Sequence, residues 1–358
     1  MAVKASGDYS ARFDQFEQII RTSDSDIYVI LAQLDPDAIG SAALFKCLAN
    51  HFNRKVRIRY AGTIDHPQNE CIFNIFELDK TFCRIDRSFI DRPNGLDVAL
   101  LDSAMMEDAR LGIGTVAPKF IIDHHMTSPE PPENCWYFVE SFGSCCSILA
   151  LMLRHFNITP EEGDDAPTLG AIGIYGDTDK FRSAATTEPD VEAFYYLMKY
   201  GDWDRFRKVN DYKVPTDYYR ILEVVLRNSK SHNTFLVSCA GYLKEEQAAY
   251  LGIIAEELVK QEGISTVITW GVIGDSLVVK ARSTNQNLRL DRFLKEKFGE
   301  NCAGAKMGAG GANLKLGFLV PRSNNKENLL KCLEDSILEI LDTKTEESGF
   351  APKGSNHN

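Results

Sequence analysis

The sequence predicts an α/β protein: an N-terminal domain built on a parallel sheet, followed by a smaller C-terminal α/β domain. Three observations carry this reading. Short, continuously apolar runs alternate with helical patterns through the first half. Several of those runs stop abruptly at aspartate. After a polar helical stretch, the last third repeats a strand-and-helix alternation of its own. Continuous apolar runs suit strands covered on both faces, as in a parallel sheet flanked by helices.

Taken in order, "DIYVILAQL" (Asp26–Leu34) reads as a strand and Ala38–Phe52 as a helix. Lys55–Gly62 is a second strand. "LDVALLD" (Leu96–Asp102) and "KFIID" (Lys119–Asp123) are apolar runs ending in aspartate, and Cys145–Phe156 has helical spacing. "LGAIGIYGDTD" (Leu169–Asp179) is apolar and small before it turns acidic, and is read as a fourth acid-ended strand. From Glu188 to about Asn228 the pattern is helical and polar, a connector. Beyond it come a strand (His232–Tyr242), an amphipathic helix (Glu245–Glu262) and two strands around a Gly-Asp turn (Ser265–Ser283). A helix (Leu290–Phe298), a glycine-rich loop and a last helix (Lys326–Leu341) follow, and the tail from Thr343 is polar enough to predict disorder. The expected division is 1–190, 191–228, 229–342 and 343–358.

With 40 Lys and Arg against 51 Asp and Glu, the formal net charge is −11. Affinity for long nucleic acid comes mostly from phosphate neutralisation, so a long strand is a poor partner. A short nucleotide in a local basic pocket fits. The nine cysteines are scattered with no C-x-x-C pair, as expected of reduced thiols in the cytoplasm. "MAVKASGDYSARFDQFEQ" has no apolar core of a secretory leader. No run approaches the ~18 apolar residues of a membrane span.

The acid-ended runs converge chemically. Asp35 and Asp37 sit one residue apart, Asp102 and Asp177 end apolar runs, and Asp123 precedes His124 and His125. Alone, each aspartate is ordinarily a helix cap or turn residue. Alone, the histidine pair is ordinarily a solvated turn or a satisfied core pair. Together they place four acidic ends at one edge of a sheet, where ligands bind in open α/β folds. Such a cluster repels itself unless a cation lies within it. Carboxylate and imidazole suit Mn²⁺ or a similar divalent ion. Two ions about 3.5–4 Å apart form the usual clamp for phosphoester hydrolysis.

"DPDAIGSA", "HPQN", "IIDHH" and "GIYGDTDKF", in that order, resemble the motifs of the DHH superfamily of phosphoesterases. "KARS" followed by "GAKMGAGG" resembles the DHH-associated C-terminal domain, so the likeness spans roughly residues 25 to 340. Within the superfamily the chain looks most like the nano-RNase branch (oligoribonuclease and pAp-phosphatase-like). The resemblance implies a DHH catalytic domain, a substrate-binding second domain and a cleft between them. It implies a Mn²⁺-dependent phosphodiesterase that hydrolyses very short RNA or linear dinucleotides such as pGpG or pApA to 5′-mononucleotides, using metal-activated water. Asp37, Asp102, His124 and Asp177 match ligands of one ion; Asp102 matches a residue able to bridge to a second, and Asp35 matches a ligand of that second ion. The resemblance further implies that His125 faces the scissile phosphate and that Asp123 orients imidazole. Arg282, Ser283, Gly304, Lys306, Gly308, Gly310 and Gly311 would hold the far part of the substrate, with Asn69 and Ser144 beside the site. A homodimer is the assembly the resemblance suggests.

Two positions depart from the pattern. Leu31 stands where a histidine is usual, which weakens the second ion's site, and Lys306 stands where the glycine-rich segment usually has histidine. The competing readings are a phosphatase for 3′-phosphoadenosine 5′-phosphate or another small phosphoester, and a nucleotide-binding regulator with weakened catalysis.

Overall fold

A computed structural model describes residues 8–23, 25–86, 89, 96–104, 117–125, 130, 132–306, 308–320 and 325–342. The chain divides into two units, Met1–Lys213 and Val214–Asn358. The first is built on a six-stranded, wholly parallel sheet in the order β3-β2-β1-β4-β5-β6. Its strands are β1 (Ile27–Leu31), β2 (Val56–Tyr60), β3 (Phe82–Arg84), β4 (Asp97–Leu101), β5 (Phe120–Asp123) and β6 (Trp136–Val139). Helices α1 (Ser10–Arg21), α2 (Pro36–His51), α3 (Pro67–Phe76), α4 (Cys145–His155), α5 (Ala166–Asp177), α6 (Glu188–Met198) and α7 (Trp203–Asn210) belong to the same unit. Neither α1 and α3 nor the short strands β3 and β6 stood out in the sequence.

Alternation along the strands separates two cores. Val29, Leu31, Ala99, Leu101, Phe120 and Ile122 face a large core shared with the helices. Tyr28, Ile30, Val98, Leu100 and Ile121 face a smaller one. Burial on both faces is why these strands read as unbroken apolar runs.

Two expectations for the first unit need correction. The Leu169–Asp179 run is a helix, α5, ending at Asp177, and not a strand. Its small residues, Gly170 and Gly173, lie against α2. A Cβ on Gly173 would stand 2.9 Å from the Pro36 carbonyl oxygen and 3.0 Å from Asp37 Cα. A helix buried on every side has no polar face, and so imitates a buried strand. Likewise β1 ends at Leu31, so Asp35 and Asp37 belong to the start of α2 rather than to the strand end.

The second unit has a six-stranded mixed sheet in the order β11-β12-β10-β9-β8-β7. Its strands are β7 (Lys230–His232), β8 (Phe235–Leu243), β9 (Thr266–Ile273), β10 (Ser276–Ser283), β11 (Ala303–Lys306) and β12 (Ala309–Lys315). On one face α8 (Thr216–Arg227) and α9 (Ala248–Leu258) share a core with Leu236, Val267 and Ile273. On the other, α10 (Leu290–Phe298) and α11 (Lys326–Asp342) cover Ile268, Trp270 and Val279. The 191–228 stretch is shared out: Phe206 and Val209 lie in the first unit's core, Tyr218 and Val225 in the second's.

The glycine-rich segment is an antiparallel hairpin, β11 to β12, and not an open loop. Its glycines permit close strand approach: a Cβ on Gly311 would lie 2.5 Å from the Val279 carbonyl oxygen. Gly308, at φ +86°, makes the turn. Among the described residues no helix is long and apolar enough to cross a membrane.

Candidate metal centre

Four of the sequence-nominated residues meet in the first unit. Ligand atoms of Asp37, Asp102, His124 and Asp177 all lie within 4.8 Å of one another. His124 is the centre of the group. Its Nε2 is 3.3 Å from Asp102 Oδ1, 3.2 Å from Asp177 Oδ2 and 3.7 Å from Asp37 Oδ2.

The other ring nitrogen is fixed. His124 Nδ1 lies 3.1 Å from the Phe142 carbonyl oxygen. A carbonyl can only accept, so Nδ1 carries the proton. The lone pair of neutral His124 is then on Nε2, among three carboxylates. Nε2 and Asp102 Oδ1 are both buried and neither has a hydrogen-bond partner of acceptable geometry. Burial pulls the His124 pKa down, but Asp102 and Asp177 outweigh it and raise it well above the ordinary imidazole value.

Each carboxylate is placed by a different device. Asp37 occupies the first turn of α2 with no solvent exposure. It accepts hydrogen bonds from Ser144 Oγ (2.5 Å), Cys145 N (2.7 Å) and Cys146 N (3.0 Å), the start of α4. A helix N-terminus favours an anion. Even so, burial, reinforced by the charge of Asp177, raises its pKa. Asp102 follows β4 at φ +55°, its N–H donating to the Ile122 carbonyl at 3.0 Å. Burial first, then the neighbouring charge of Asp35, pushes its pKa well up. Asp177 is the last residue of α5, where the helix dipole disfavours an acid.

Three carboxylate oxygens and one imidazole nitrogen form a donor set for a hard or borderline divalent ion. The orphaned Nε2 and Oδ1 atoms fit such an ion, which would satisfy both.

Asp123 and His125 form an adjoining pair. His125 Nδ1 donates to Asp123 Oδ1 at 2.6 Å, and the same oxygen accepts from the N–H groups of His124 (2.8 Å) and His125 (3.2 Å). Burial works to raise the Asp123 pKa, but these bonds hold it below the ordinary carboxylate value.

The remaining nominated residues are placed elsewhere. Asp35 is outside the quartet; its side chain caps α2, accepting from Ala38 N at 2.9 Å. Ser144 is buried as the cap of α4 and grips Asp37. Asn69 is buried on α3 and donates to the Leu34 carbonyl at 2.8 Å, steadying the chain before Asp35. Leu31 is fully buried in the first core. Arg282, Ser283, Gly304, Lys306, Gly308, Gly310 and Gly311 lie in the second unit, on β10 and the β11–β12 hairpin. Arg282 is half-buried, with Nη1 donating to the Ala281 carbonyl at 3.0 Å, and Ser283 Oγ is 2.9 Å from Thr266 Oγ1. Sequence reading missed the Phe142 carbonyl and the Cys145 and Cys146 amides, because backbone groups leave no side-chain signal.

No family model matches the sequence. The chain is 28% identical over 318 residues to the uncharacterized protein MJ1633 of Methanocaldococcus jannaschii, covering 87% of this chain and 63% of that relative's length. Its fold is similar to that of an exopolyphosphatase-related protein from Bacteroides fragilis, with TM-score 0.67 and 17% identity over 92% of this chain and 96% of that one. A weaker likeness, TM-score 0.39 with 13% identity over 88% of this chain and 99% of the other, reaches a pGpG-specific phosphodiesterase from Vibrio cholerae.

Proposed function

We propose that this chain, which has the two-unit α/β fold of the DHH phosphoesterases, is a metal-dependent phosphoester hydrolase acting on very short RNA or linear dinucleotides such as pGpG. The observation that supports it most directly is His124: Nδ1 tied to a carbonyl, and an unpartnered Nε2 facing three aspartates. A group of that kind serves no packing purpose. It holds a cation.

Asp37, Asp102, His124 and Asp177 would hold Mn²⁺ or a similar ion. Bound there, the ion would supply Lewis acidity, lowering the pKa of a water and taking up charge on phosphate oxygens. Asp102, whose Oδ1 lies 3.3 Å from His124 Nε2 and 3.8 Å from His125 Nδ1, would help orient the attacking water. His125, its Nδ1–H held by Asp123, would as imidazolium donate from Nε2 to a phosphoryl oxygen as charge develops. Arg282 would grip a terminal phosphate bidentately. Asp35 is assigned to a weaker second ion, since Leu31 offers no imidazole there.

The test is a substrate panel with Mn²⁺: pGpG, pApA, a five-mer, 3′-phosphoadenosine 5′-phosphate and pyrophosphate. Fastest turnover of the dinucleotides is expected. Preference for 3′-phosphoadenosine 5′-phosphate would replace the substrate assignment, and binding without turnover of any compound would make the chain a regulator.

A further inference from the structure

Asp190 lies on α6, without solvent exposure and outside the quartet. Its carboxylate accepts from Gly143 N through both oxygens, at 3.1 and 3.0 Å. Oδ2 also accepts from Thr187 N and Thr187 Oγ1, each at 2.7 Å, closing a capping box at the start of α6. A capping box requires only the Thr187 contacts. The Gly143 contact is additional, and it leads to the metal centre.

The Gly143 N–H belongs to the same peptide group as the Phe142 carbonyl, which accepts from His124 Nδ1 at 3.1 Å. One amide thus connects a buried carboxylate to the ring whose Nε2 faces the three aspartates. A charged acceptor on the N–H polarises the amide and makes its carbonyl a stronger acceptor. That fixes the ring and increases the basicity of Nε2. Histidine ligands are commonly oriented by a carboxylate or carbonyl directly; here the two act in series.

We propose that Asp190 is a positioning residue of the metal centre, acting through the Phe142–Gly143 peptide to orient His124 and strengthen it as a ligand. The next residue, Ser144, donates to Asp37, so the same turn sets two of the four ligands. Its geometry depends on Gly143 being glycine. A Cβ there would fall 2.8 Å from Asp190 Oδ2 and 2.7 Å from Thr178 Cγ2, beside Asp177. The inference rests on the metal-centre reading above.

The test measures Mn²⁺ affinity of the full chain by titration calorimetry, with thermal unfolding in EDTA recorded for the same samples. Asp190→Asn turns an N–H toward Gly143 or Thr187 and removes the charge, so roughly a 10-fold or greater loss of affinity is expected. Gly143→Ala should lose affinity similarly. Thr187→Ala removes the hydroxyl and methyl at the cap but leaves the Asp190 charge and its contact with Gly143 N; it should lower the Tm while leaving affinity within about twofold of wild type. Wild-type affinity in folded Asp190→Asn overturns the inference, as does an affinity loss in Thr187→Ala that matches Asp190→Asn. If Asp190→Asn does not fold, Gly143→Ala carries the decision by the same criterion. No Mn²⁺ binding by wild type overturns the metal-centre reading and this inference together, whereas binding by wild type and equal binding by the variants overturns this inference alone.

Discussion

The proposed metal centre rests on His124. Its Nδ1 is tied to Phe142 and its Nε2 faces Asp37, Asp102 and Asp177. Asp102 carries the sharpest consequence. Burial and the charge of Asp35 raise its folded-state pKa above the unfolded value. Between those two values the folded state holds more protons, so stability falls as pH rises through the window. In EDTA at neutral pH, Asp102→Asn should therefore unfold at higher urea than wild type, while Mn²⁺-dependent turnover of pGpG falls by about 10²-fold or more. Lower urea stability together with near-normal turnover would refute the assigned role. Asp35 has two candidate roles that substitution separates. Asp35→Ser keeps an α2 cap, whereas Asp35→Ala costs about 1 kcal/mol. If Asp35 also serves a second ion, both variants should lose the weaker phase of a Mn²⁺ titration, and retention of that phase in Asp35→Ser would restrict Asp35 to capping.

At the scale of elements, the contact between α2 and α5 decides where two aspartates go. Gly173 lets Pro36 and Asp37 approach α5, whose last residue is Asp177. Gly173→Ala would set a methyl 2.6 Å from Cys146 Sγ and 2.9 Å from the Pro36 carbonyl. Overpacking of this kind costs about 1–3 kcal/mol, and the helices would separate at the metal centre. Thermal unfolding and Mn²⁺ titration should both shift; a lowered Tm with unchanged Mn²⁺ affinity would show that the contact serves packing only. The same elements show what was legible in sequence. The strand cores of β1, β2, β4 and β5 were, because burial on both faces leaves an unbroken apolar run. The helical state of α5 was not, because all-round burial removes the polar stripe that marks a helix. The Gly304–Gly311 stretch was located, but its hairpin state depends on long-range pairing with β10.

For the whole molecule, charge and burial give two expectations. The net charge of −11 opposes a long polyanion, so a 20-mer should be cleaved at least about 10-fold more slowly than a dinucleotide at low salt, with the gap narrowing as salt screens the repulsion. A gap indifferent to salt would attribute length selection to shape instead. The thiols also divide by exposure. Cys83, Cys302 and Cys332 are exposed, while Cys145, Cys146 and Cys239 are buried. Burial pushes the Cys239 thiol up to about 11 and those of Cys145 and Cys146 well above the ordinary value. At pH 8 a thiol reagent should titrate the three exposed cysteines promptly and the three buried ones only in denaturant. Prompt reaction at Cys146 would show that the start of α4, and with it the seat of Asp37, opens readily.

The sequence alone determined the α/β class, the parallel sheet and the identity of the acidic and imidazole groups, because period and residue type are local properties. Tertiary structure decided which of those groups meet. Asp177 reaches the group from a helix end, Asp35 caps α2, and Ser144 donates to Asp37. It also supplied the partners that side-chain patterns cannot encode: the Phe142 carbonyl and the amides of Gly143, Cys145 and Cys146. Every residue carries those backbone groups, so only the folding of distant segments onto one another distinguishes the few that orient a ligand.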